Sequence, residues 1–343
     1  MKSIKDVAQL AGVSITTVSH VLNGTRKVSD VARRRVQLAI DQSGYVPSGV
    51  ARSLRMSATQ TIGVLVPDIS SPFSAELAQG MAEVARERGY ALMLGNFASQ
   101  PEDQMRALQD LLTRRVDGLL LAAGVYNHQV LVDTLSRSGR RLPVLLIDHE
   151  PDGLHVDSLS SSQSAYGHLA VNRLLQLGHE RIACINGPEH LFITPLRMQA
   201  WREALQVAGI TPESDWSVFG EFTPESGYEL GKAMLVSKRF SAIIAGADVI
   251  ALGLMRAASE LGVRVPEDVS VVCYDMHRMG NYVYPPLDSV GSDVKEKGRR
   301  AMALLIDRVG QTDAPIRRES FPTTAVWRAS SAAPSLAFSR VTS

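Results

Sequence analysis

From residue 60 onward, short continuous apolar runs alternate with longer stretches in which apolar residues recur every three or four positions. The runs have the length of buried strands and the stretches between them have helical spacing; the runs are TIGVLVP, ALMLGNF, DGLLLAA, RIACING, WSVFGEF, AIIAGA and VSVVCYD. Continuous apolar strands separated by helices predict parallel sheets covered by helices on both faces. Because a single sheet would have to hold too many strands, the pattern predicts an α/β core of two doubly wound parallel-sheet lobes.

Residues 1–45 show a different pattern, with three short helical segments and clear signals for their ends. Ser3 precedes the first segment and Gly12 follows it, Ser14 offers a second N-cap soon after, and a third segment runs from Ser29 to Gly44. Two helices joined by so short a turn are typical of a helix-turn-helix. Each helix is too short to be stable alone, so the pattern predicts a small all-α domain in which the three share one core.

The second of these helices has an apolar face and a short polar face. The apolar residues are Val18, Val21 and Leu22, and the polar residues that lie nearly opposite are Thr16, His20 and Asn23. Small polar side chains can reach base edges in a major groove, and the nearby Arg26 can neutralise a phosphate. The alternative interpretation is an ordinary exposed helix face that contacts no partner.

The segment VARSLR, residues 50–55, combines one large apolar residue with two cations. Leu54 between Arg52 and Arg55 has the composition of a minor-groove wedge, in which an apolar side chain unstacks a base step and cations hold the backbone. A linker whose Leu54 rests on a neighbouring domain has the same composition. The residues alone leave both interpretations open.

Charge is distributed unevenly along the 343 residues, although the formal net charge is only +1. Residues 1–60 contain nine Lys and Arg against three Asp, whereas the remainder contains 27 Lys and Arg against 32 Asp and Glu. A basic end on a mildly acidic body predicts a polyanionic partner for that end. No apolar run reaches the length of a membrane span, no secretory signal is present, and the two cysteines, Cys184 and Cys273, lie in apolar runs. We therefore expect a cytoplasmic protein without membrane contact.

Polar and aromatic residues at the predicted strand ends are candidates for a small-molecule site. Ligands of doubly wound sheets bind beyond the carboxyl ends of the strands, and two facing lobes create a cleft there. Carboxylates, a guanidinium and an aromatic ring suit a polyhydroxylated ligand; the candidates are Phe73, Ser74, Arg197, Asp248 and Asp275, with Asp68 and Ser71 nearby. Each candidate has a structural alternative: Asp248 as a helix cap, Arg197 paired with a surface acid, Phe73 as a core residue.

Three stretches of the chain resemble the lactose/galactose repressor family of bacterial transcription regulators. They are KSIKDVAQLAGVSITTVSHVLNGTRKVSD, GYVPSGVARSL and TIGVLVPDISSPFSAEL, and the likeness runs through residues 2–330. Within the family, TRRVDGLLL and FTPESGY look most similar to the purine and ribose repressors. The resemblance implies a periplasmic-binding-protein-like core in which the chain crosses between lobes near residues 160, 290 and 320.

The resemblance also implies roles for individual residues. Ile15, Thr16, Thr17 and His20 occupy base-reading positions, and Leu54 is the intercalating residue of a hinge helix that folds on DNA. The predicted DNA-contact set is Ser14, Ile15, Thr16, Thr17, His20, Asn23, Arg26, Arg52 and Leu54, and the predicted effector set is Phe73, Ser74, Arg197, Asp248 and Asp275. Many members carry Arg where this chain has His20, so their base preference does not transfer.

Several positions depart from the pattern of the related repressors. Leu191 stands where they carry an effector-binding Arg, Ile193 replaces Thr, Ser162–Gln163 replaces an Asp–Asn pair, and Ser74 replaces a second aromatic residue. The pocket keeps an acidic floor but loses a cation and an acid. The resemblance therefore transfers neither purine nor ribose, and the predicted effector is a neutral sugar or a sugar-like metabolite.

Together these features predict a ligand-responsive transcriptional regulator, specifically a repressor, that binds a pseudo-palindromic operator as a homodimer, with a tetramer as the alternative. It should act in the cytoplasm in association with the nucleoid, without cofactor, metal or enzymatic activity. The predicted domains are a helix-turn-helix (1–47), a hinge helix and linker (48–60), a two-lobed effector-binding and dimerisation domain (61–330) and a flexible tail (331–343). The competing hypothesis is a sugar-binding or sugar-processing protein whose basic end mediates other interactions.

One possible metal site was weighed against this picture. The segment HEPDGLHVD holds the local cluster His149, Glu150, Asp152, His155 and Asp157. Its spacing is not that of a helical metal motif and it contains turn residues, so a solvated loop is the preferred interpretation.

Overall fold

The computed structural model describes residues 3–23, 26–45, 58–97, 101–122, 131, 134, 142–149, 156–275 and 278–335. The chain divides into two compact units, residues 1–59 and 60–343.

The described part of the first unit contains three helices, α1 (Ile4–Ala11), α2 (Ile15–Asn23) and α3 (Asp30–Ser43). Their ends follow the predicted capping residues. The Asp6 carboxylate accepts a hydrogen bond from the Ser3 backbone N–H (2.7 Å), and the Ser14 hydroxyl accepts one from the Thr17 N–H (3.1 Å). Gly12 ends α1 in the left-handed region with φ of 64°. The helices share a small core, made of Val7, Ala8, Ala11, Val18, Val36 and Ala39.

The second unit contains two lobes, and within the described residues each has a six-stranded sheet. The order in lobe 1 is β2-β1-β3-β4-β5-β11, with every pair parallel. Its strands are β1 (Thr61–Val66), β2 (Ala91–Asn96), β3 (Gly118–Ala122), β4 (Val144–Ile147), β5 (Asp157–Ser161) and β11 (Arg318–Phe321). Its helices are α4 (Pro72–Glu87), α5 (Pro101–Thr113) and α10 (Val294–Val309).

Lobe 2 repeats this architecture with the order β7-β6-β8-β9-β10-β12, where only the edge strand β12 is antiparallel to its neighbour in the described residues. Its strands are β6 (Ile182–Asn186), β7 (Ser217–Phe219), β8 (Ala242–Ala245), β9 (Ser270–Tyr274), β10 (Asp288–Gly291) and β12 (Thr324–Val326). Its helices are α6 (Gln163–Gln176), α7 (Ile193–Val207), α8 (Pro224–Ser237) and α9 (Asp248–Glu260), with short 3-10 turns at Ser214–Trp216 and Met279–Asn281.

The chain passes between the lobes three times, after β5, after β10 and after β11. These crossings lie near residues 160, 290 and 320, where the resemblance placed them. The predicted α/β architecture of two doubly wound lobes is confirmed. The strands β4, β5, β10, β11 and β12 were not among the runs that the hydrophobic pattern singled out. Cys184 and Cys273 are buried as small core residues of lobe 2.

The end of the described chain corrects one predicted boundary. Ser331 and Ala332 belong to the predicted flexible tail, but both are held by lobe 2. The Ala332 N–H donates to the Ser270 hydroxyl (3.1 Å), and the Ala332 carbonyl lies 2.8 Å from Nε2 of His179. Ser331 donates a short hydrogen bond to Asp288. The tail prediction is wrong at these two residues because hydrogen bonds to side chains far away in the sequence leave no local hydrophobic signal. No helix in the described ranges is long and apolar enough to span a bilayer.

Candidate functional site

The helix α2 presents its polar face to the outside of the first unit. Val18 is fully buried, and Val21 and Leu22 pack against the same core. Thr16 is exposed, His20 is half-buried, and the apolar Ile15 is 44% exposed. An exposed isoleucine beside exposed polar residues is suited to contact with a partner surface such as a thymine methyl group.

Of the other predicted DNA-contact residues, the side chains of Ser14, Thr17 and Arg26 lie within the described part of the chain. Ser14 and Thr17 bond to each other through their hydroxyls (2.8 Å), so their placement also serves the N-terminus of α2. Arg26 is exposed. The side chain of Asn23 and the whole of Arg52 and Leu54 lie outside the described residues, as does most of the predicted hinge helix.

A cavity of about 170 Å³ lies between the two lobes, at the carboxyl ends of their strands. All five predicted effector residues line it: Phe73, Ser74, Arg197, Asp248 and Asp275. They come from separate elements of both lobes, which the carboxyl ends of parallel strands bring together. The described lining also includes Pro67, Asp68, Ser71, Asp148, Gln163, Pro188, Leu191, Ile193, Glu221, Phe222, Thr223, Ala247 and Val249.

Arg197 is held in place by groups on every side of its guanidinium. Nε donates to the Gln163 side-chain oxygen (2.7 Å), Nη1 to the Gly246 carbonyl (2.7 Å) and Nη2 to the Asp275 carboxylate (2.8 Å). The rings of Tyr166 and Tyr274 lie 5.0 and 5.1 Å from the guanidinium carbon. The partner is thus a mostly buried acid of the cavity wall, so the alternative of a surface acid is wrong. A buried charge paired in this way keeps its position when the cavity is empty.

Asp248 is the first residue of α9, and its carboxylate accepts a hydrogen bond from the Val249 N–H (2.7 Å). It therefore interacts with the helix terminus, as the capping alternative supposed, and lines the cavity as well. Burial raises the pKa of this carboxyl to about 6, more than the backbone hydrogen bond lowers it, and the carboxylates of Asp275 and Glu76 add to the increase. The cavity thus contains an acid that titrates close to neutral pH.

Sequence patterns missed a buried ion pair on the lobe 1 side of the cavity. Asp148 directly follows β4 and has a left-handed backbone conformation (φ 52°). Its carboxylate accepts a hydrogen bond from the Ser161 N–H (2.8 Å) and forms an ion pair with Lys297 (Nζ to Oδ2, 2.8 Å). The Lys297 side chain has no exposed surface. The two partners are 149 residues apart, so no local motif could announce them.

The comparisons with known proteins agree with this architecture. A family model for bacterial regulatory proteins of the lacI family matches residues 3–48, and a model of the periplasmic binding protein-like domain matches residues 171–331. The transcriptional repressor PurR of Photobacterium profundum is 36% identical over 310 residues, which cover 90% of this chain and 92% of that relative.

Solved structures give the same result. A Lac repressor dimer bound to operator and the anti-inducer ONPF superposes with a TM-score of 0.86 and 28% identity, covering 97% of this chain and 99% of that one. A complex of the transcriptional regulator CelR with cellobiose superposes with a TM-score of 0.71 and 30% identity. The match covers 96% of this chain and 100% of that one.

The chain belongs to the lacI family of bacterial regulatory proteins. This lacI-family protein is a ligand-responsive regulator of transcription rather than an enzyme, as the sequence predicted. Groups of three or more His, Cys, Asp or Glu side chains that could hold a metal do not occur in the described ranges.

Four of the five residues at which a departure from related repressors was predicted line the cavity: Ser74, Gln163, Leu191 and Ile193. Leu191 and Ile193 add apolar surface, and Gln163 supplies the oxygen that holds Arg197. Phe222, which sequence reasoning did not select, adds an aromatic ring. A side chain at Gly187 would overlap this ring, so the glycine provides the space that the phenyl group occupies. Phe222 is the last residue of the run WSVFGEF, which predicted a buried strand, but the strand ends at Phe219 and Phe222 lies in the turn between β7 and α8.

Proposed function

We propose that this protein is a repressor that binds a pseudo-palindromic operator as a dimer and whose effector is a small neutral sugar or sugar-like metabolite. The observation that carries the proposal is that one chain joins an exposed helix-turn-helix reading face to an interlobe cavity in which the five predicted effector residues converge.

The reading face supports the DNA half of the proposal. Thr16 and His20 lie on the side of α2 away from the buried Val18, which is the geometry of a helix that enters a major groove. A single helix-turn-helix is too small for specific binding at physiological salt, so two copies should read two half-sites. The Lac repressor structure described above is a dimer on operator, and a tetramer is the alternative assembly. The protein would act on DNA in the cytoplasm, associated with the nucleoid.

The cavity supports the sugar half. Asp248 and Asp275 can accept hydroxyl hydrogens, Arg197 can donate, and Phe73 and Phe222 offer rings on which a sugar face can pack. The apolar Leu191 and Ile193 suit the C–H surface of such a ligand. The Lac repressor relative binds ONPF and the CelR relative binds cellobiose. The name of the PurR relative mentions no sugar.

The DNA proposal is tested by selecting an operator from genomic fragments and measuring its affinity by fluorescence anisotropy. The expected result is tight binding whose affinity falls steeply with salt. His20→Ala should change the preferred base at one position of each half-site and weaken binding by about 1–3 kcal/mol. Gln37→Ala is the matched control, because Gln37 is an exposed residue of α3 bonded only to Asp41 among the described contacts. An unaltered base preference in the His20 variant would reject its reading role.

The wedge hypothesis for Leu54 needs its own variant. Leu54→Ala should weaken specific binding more than nonspecific binding, because insertion occurs only on the bent operator. Equal loss on both DNAs would count against the wedge.

The effector proposal is tested by thermal shift with neutral sugars, sugar acids and nucleobases. A ligand at 100 times its Kd stabilises the folded state by about 2.7 kcal/mol. Each ligand that binds is then added to the operator assay, where it should change operator affinity. Sugar binding without sequence-specific DNA binding would favour the competing hypothesis of a sugar-binding protein.

A further inference from the structure

The cavity between the lobes has an excess of acidic side chains. Five carboxylates line it, whereas Arg197 is the one lysine or arginine among its described lining residues; the carboxylates are Asp68, Asp148, Glu221, Asp248 and Asp275. We infer that the cavity selects the uncharged form of its ligand, so that the effector is an unphosphorylated sugar without a carboxylate and the corresponding phosphate ester or sugar acid is rejected. The inference rests on the proposed function and adds that the cavity discriminates against the anionic derivatives of its own ligand.

Arg197 in the cavity wall and Lys297, which pairs with the wall residue Asp148, are already neutralised by acids of the chain. Arg278 lies outside the cavity lining, in a smaller adjoining pocket with Phe73, Asp248 and Asp275. Arg197 pairs with Asp275 at 2.8 Å with only 5% of its side chain exposed, and Lys297 contacts both oxygens of Asp148 at 2.8 and 3.0 Å. An anionic ligand could accept from the Arg197 N–H groups that these contacts leave unused, but the charge of each cation is already balanced. Displacing either carboxylate to free a charge would leave a buried carboxylate without a partner. Neither cation therefore offers a phosphate an uncompensated positive charge.

Helix N-termini favour an anion, and three of those around the cavity, at α6, α8 and α9, are occupied by oxygens of the chain itself. The N-termini of α4 and α7, which also border the cavity, have no side-chain cap among the described residues. The Ser162 hydroxyl accepts from the Ala165 N–H at the start of α6, and the Thr223 hydroxyl accepts from the Ser226 N–H at the start of α8. At α9 the occupant is the Asp248 carboxylate, which accepts from the Val249 N–H. A negative side chain already lies where a ligand phosphate would benefit from the helix dipole.

The remaining hydrogen-bonding capacity of the cavity suits neutral hydroxyl groups. The Arg197 guanidinium has five N–H groups, and its contacts with the described residues use three of them. The Ser74 hydroxyl is buried, lines the cavity and has no hydrogen-bond partner among the described residues. A ligand hydroxyl can donate to Asp248 and accept from Ser74 at once, whereas a phosphate can only accept.

The test compares matched pairs of probes by calorimetry with the full-length protein at pH 7.5. The pairs are neutral aldoses and disaccharides with their phosphate esters and aldonic acids, and purine bases with their nucleoside monophosphates. For the pair that binds, the neutral member should bind at least about 100-fold more tightly, because a dianion beside unpaired carboxylates is repelled in a low-dielectric site.

A charge-removing variant separates electrostatic selection from simple size exclusion. Asp248→Asn should reduce the discrimination against the phosphate ester by about tenfold. Glu229→Gln, which removes an exposed charge of α8 outside the cavity, should leave the discrimination unchanged. If Asp248→Asn changed the discrimination no more than Glu229→Gln does, exclusion of the phosphate ester by its size would replace the electrostatic explanation.

The outcomes also distinguish this inference from the proposed function. A phosphate ester or sugar acid that binds as tightly as its neutral partner overturns the charge inference and leaves the sugar repressor intact. Preference for a neutral purine over every sugar overturns the sugar effector and supports the charge inference. Absence of binding by every probe contradicts both.

Discussion

Asp248 shows how two opposing effects act on one residue of the cavity. Its position at the start of α9 favours the ionised carboxylate, which accepts the Val249 N–H, whereas its burial, with 4% of the residue exposed, favours the neutral acid. Burial prevails and raises the pKa to about 6 from an ordinary value of 3.8. An acid kept in an unfavourable environment is typical of a binding site, where a ligand supplies the missing partners.

This balance predicts that Asp248→Asn stabilises the ligand-free protein at neutral pH. Because the folded-state pKa is raised, the stability that the neutral acid contributes is present below about pH 4 and is lost as the pH rises through about 6. A difference of about two pKa units corresponds to about 3 kcal/mol at most at pH 7.5, and the Asn oxygen can still accept from Val249. Urea unfolding at pH 7.5 and pH 4 measures the effect, with Glu229→Gln as the control. If Asp248→Asn were less stable than the wild type at pH 7.5, the result would show that Asp248 acts mainly as a stabilising helix cap.

Arg197 gives a second prediction at the residue scale. Arg197→Lys keeps the charge but cannot donate to Gln163, Gly246 and Asp275 together, and an ammonium does not stack between two tyrosine rings in the same way. We expect a loss of about 2–4 kcal/mol in the free energy of unfolding and of at least tenfold in effector affinity. Arg202→Lys, on an exposed position of the same helix α7, is the matched control. Wild-type effector affinity in Arg197→Lys would show that the guanidinium geometry is unimportant.

At the scale of elements, the close packing of α4 against α10 positions the part of the cavity wall that α4 supplies. A side chain at Gly298 of α10 would overlap the Leu77 carbonyl, and one at Gly80 of α4 would overlap the Lys295 carbonyl. The two backbones thus approach through a glycine on each helix. Phe73 and Ser74 lie in the first turn of α4, and Lys297 directly precedes Gly298 on α10. The contact therefore sets the distance between Phe73 and Ser74 in the cavity wall and Lys297, which pairs with the wall residue Asp148.

We predict that Gly298→Ala lowers the free energy of unfolding by about 1–3 kcal/mol, since a backbone carbonyl cannot move aside as a side chain can. It should also weaken effector binding through displacement of Lys297 and Ser74. Gly310→Ala, at the other end of α10, is the control because a methyl group there meets nothing within 4 Å. Equal stability of the two variants by urea unfolding would show that α4 and α10 can separate at little cost.

Elements with local signals could be predicted from the sequence, and elements defined by distant partners could not. The caps at Ser3, Ser14 and Ser29 and the apolar runs that became β1 and β9 are local, so the pattern identified them. The strand β5, with the sequence DSLSS, has one apolar residue and is recognisable only by its parallel neighbours β4 and β11. Asp275 could be selected as a site residue because it follows an evident strand. Asp148 and Gln163 could not, because their roles depend on distant partners: Asp148 pairs with Lys297, and Gln163 accepts from Arg197.

At the scale of the second unit, the three crossings between the lobes meet at the Asp148–Lys297 pair. Asp148 accepts from the N–H of Ser161, the last residue before the first crossing. Lys297 lies in the first turns of α10, just after the second crossing, and its Nζ is 5.7 Å from the ring centroid of Phe321, the last residue before the third. Asp148 also lines the cavity. A ligand that contacts Asp148 is therefore linked, through this ion pair, to residues beside all three connections. Coupling between sites requires an element whose arrangement both sites bias, and we expect this ion pair to be that element.

This arrangement predicts that the ion pair is needed for the effector to alter DNA binding. Lys297→Met alone should cost about 3–5 kcal/mol of stability, because it leaves a buried carboxylate unpaired. The double variant Asp148→Asn, Lys297→Met removes both charges, keeps an oxygen for the Ser161 N–H and should recover most of that loss. Operator Kd is measured with and without saturating effector, and the ratio of the two values, typically about 5- to 150-fold for a coupled pair of sites, should fall close to one in the double variant. Lys295→Met is the control, since Lys295 is a more exposed lysine of the same helix paired with Glu83 at 2.7 Å. A double variant that binds effector and keeps the full ratio would place the coupling elsewhere in the lobes.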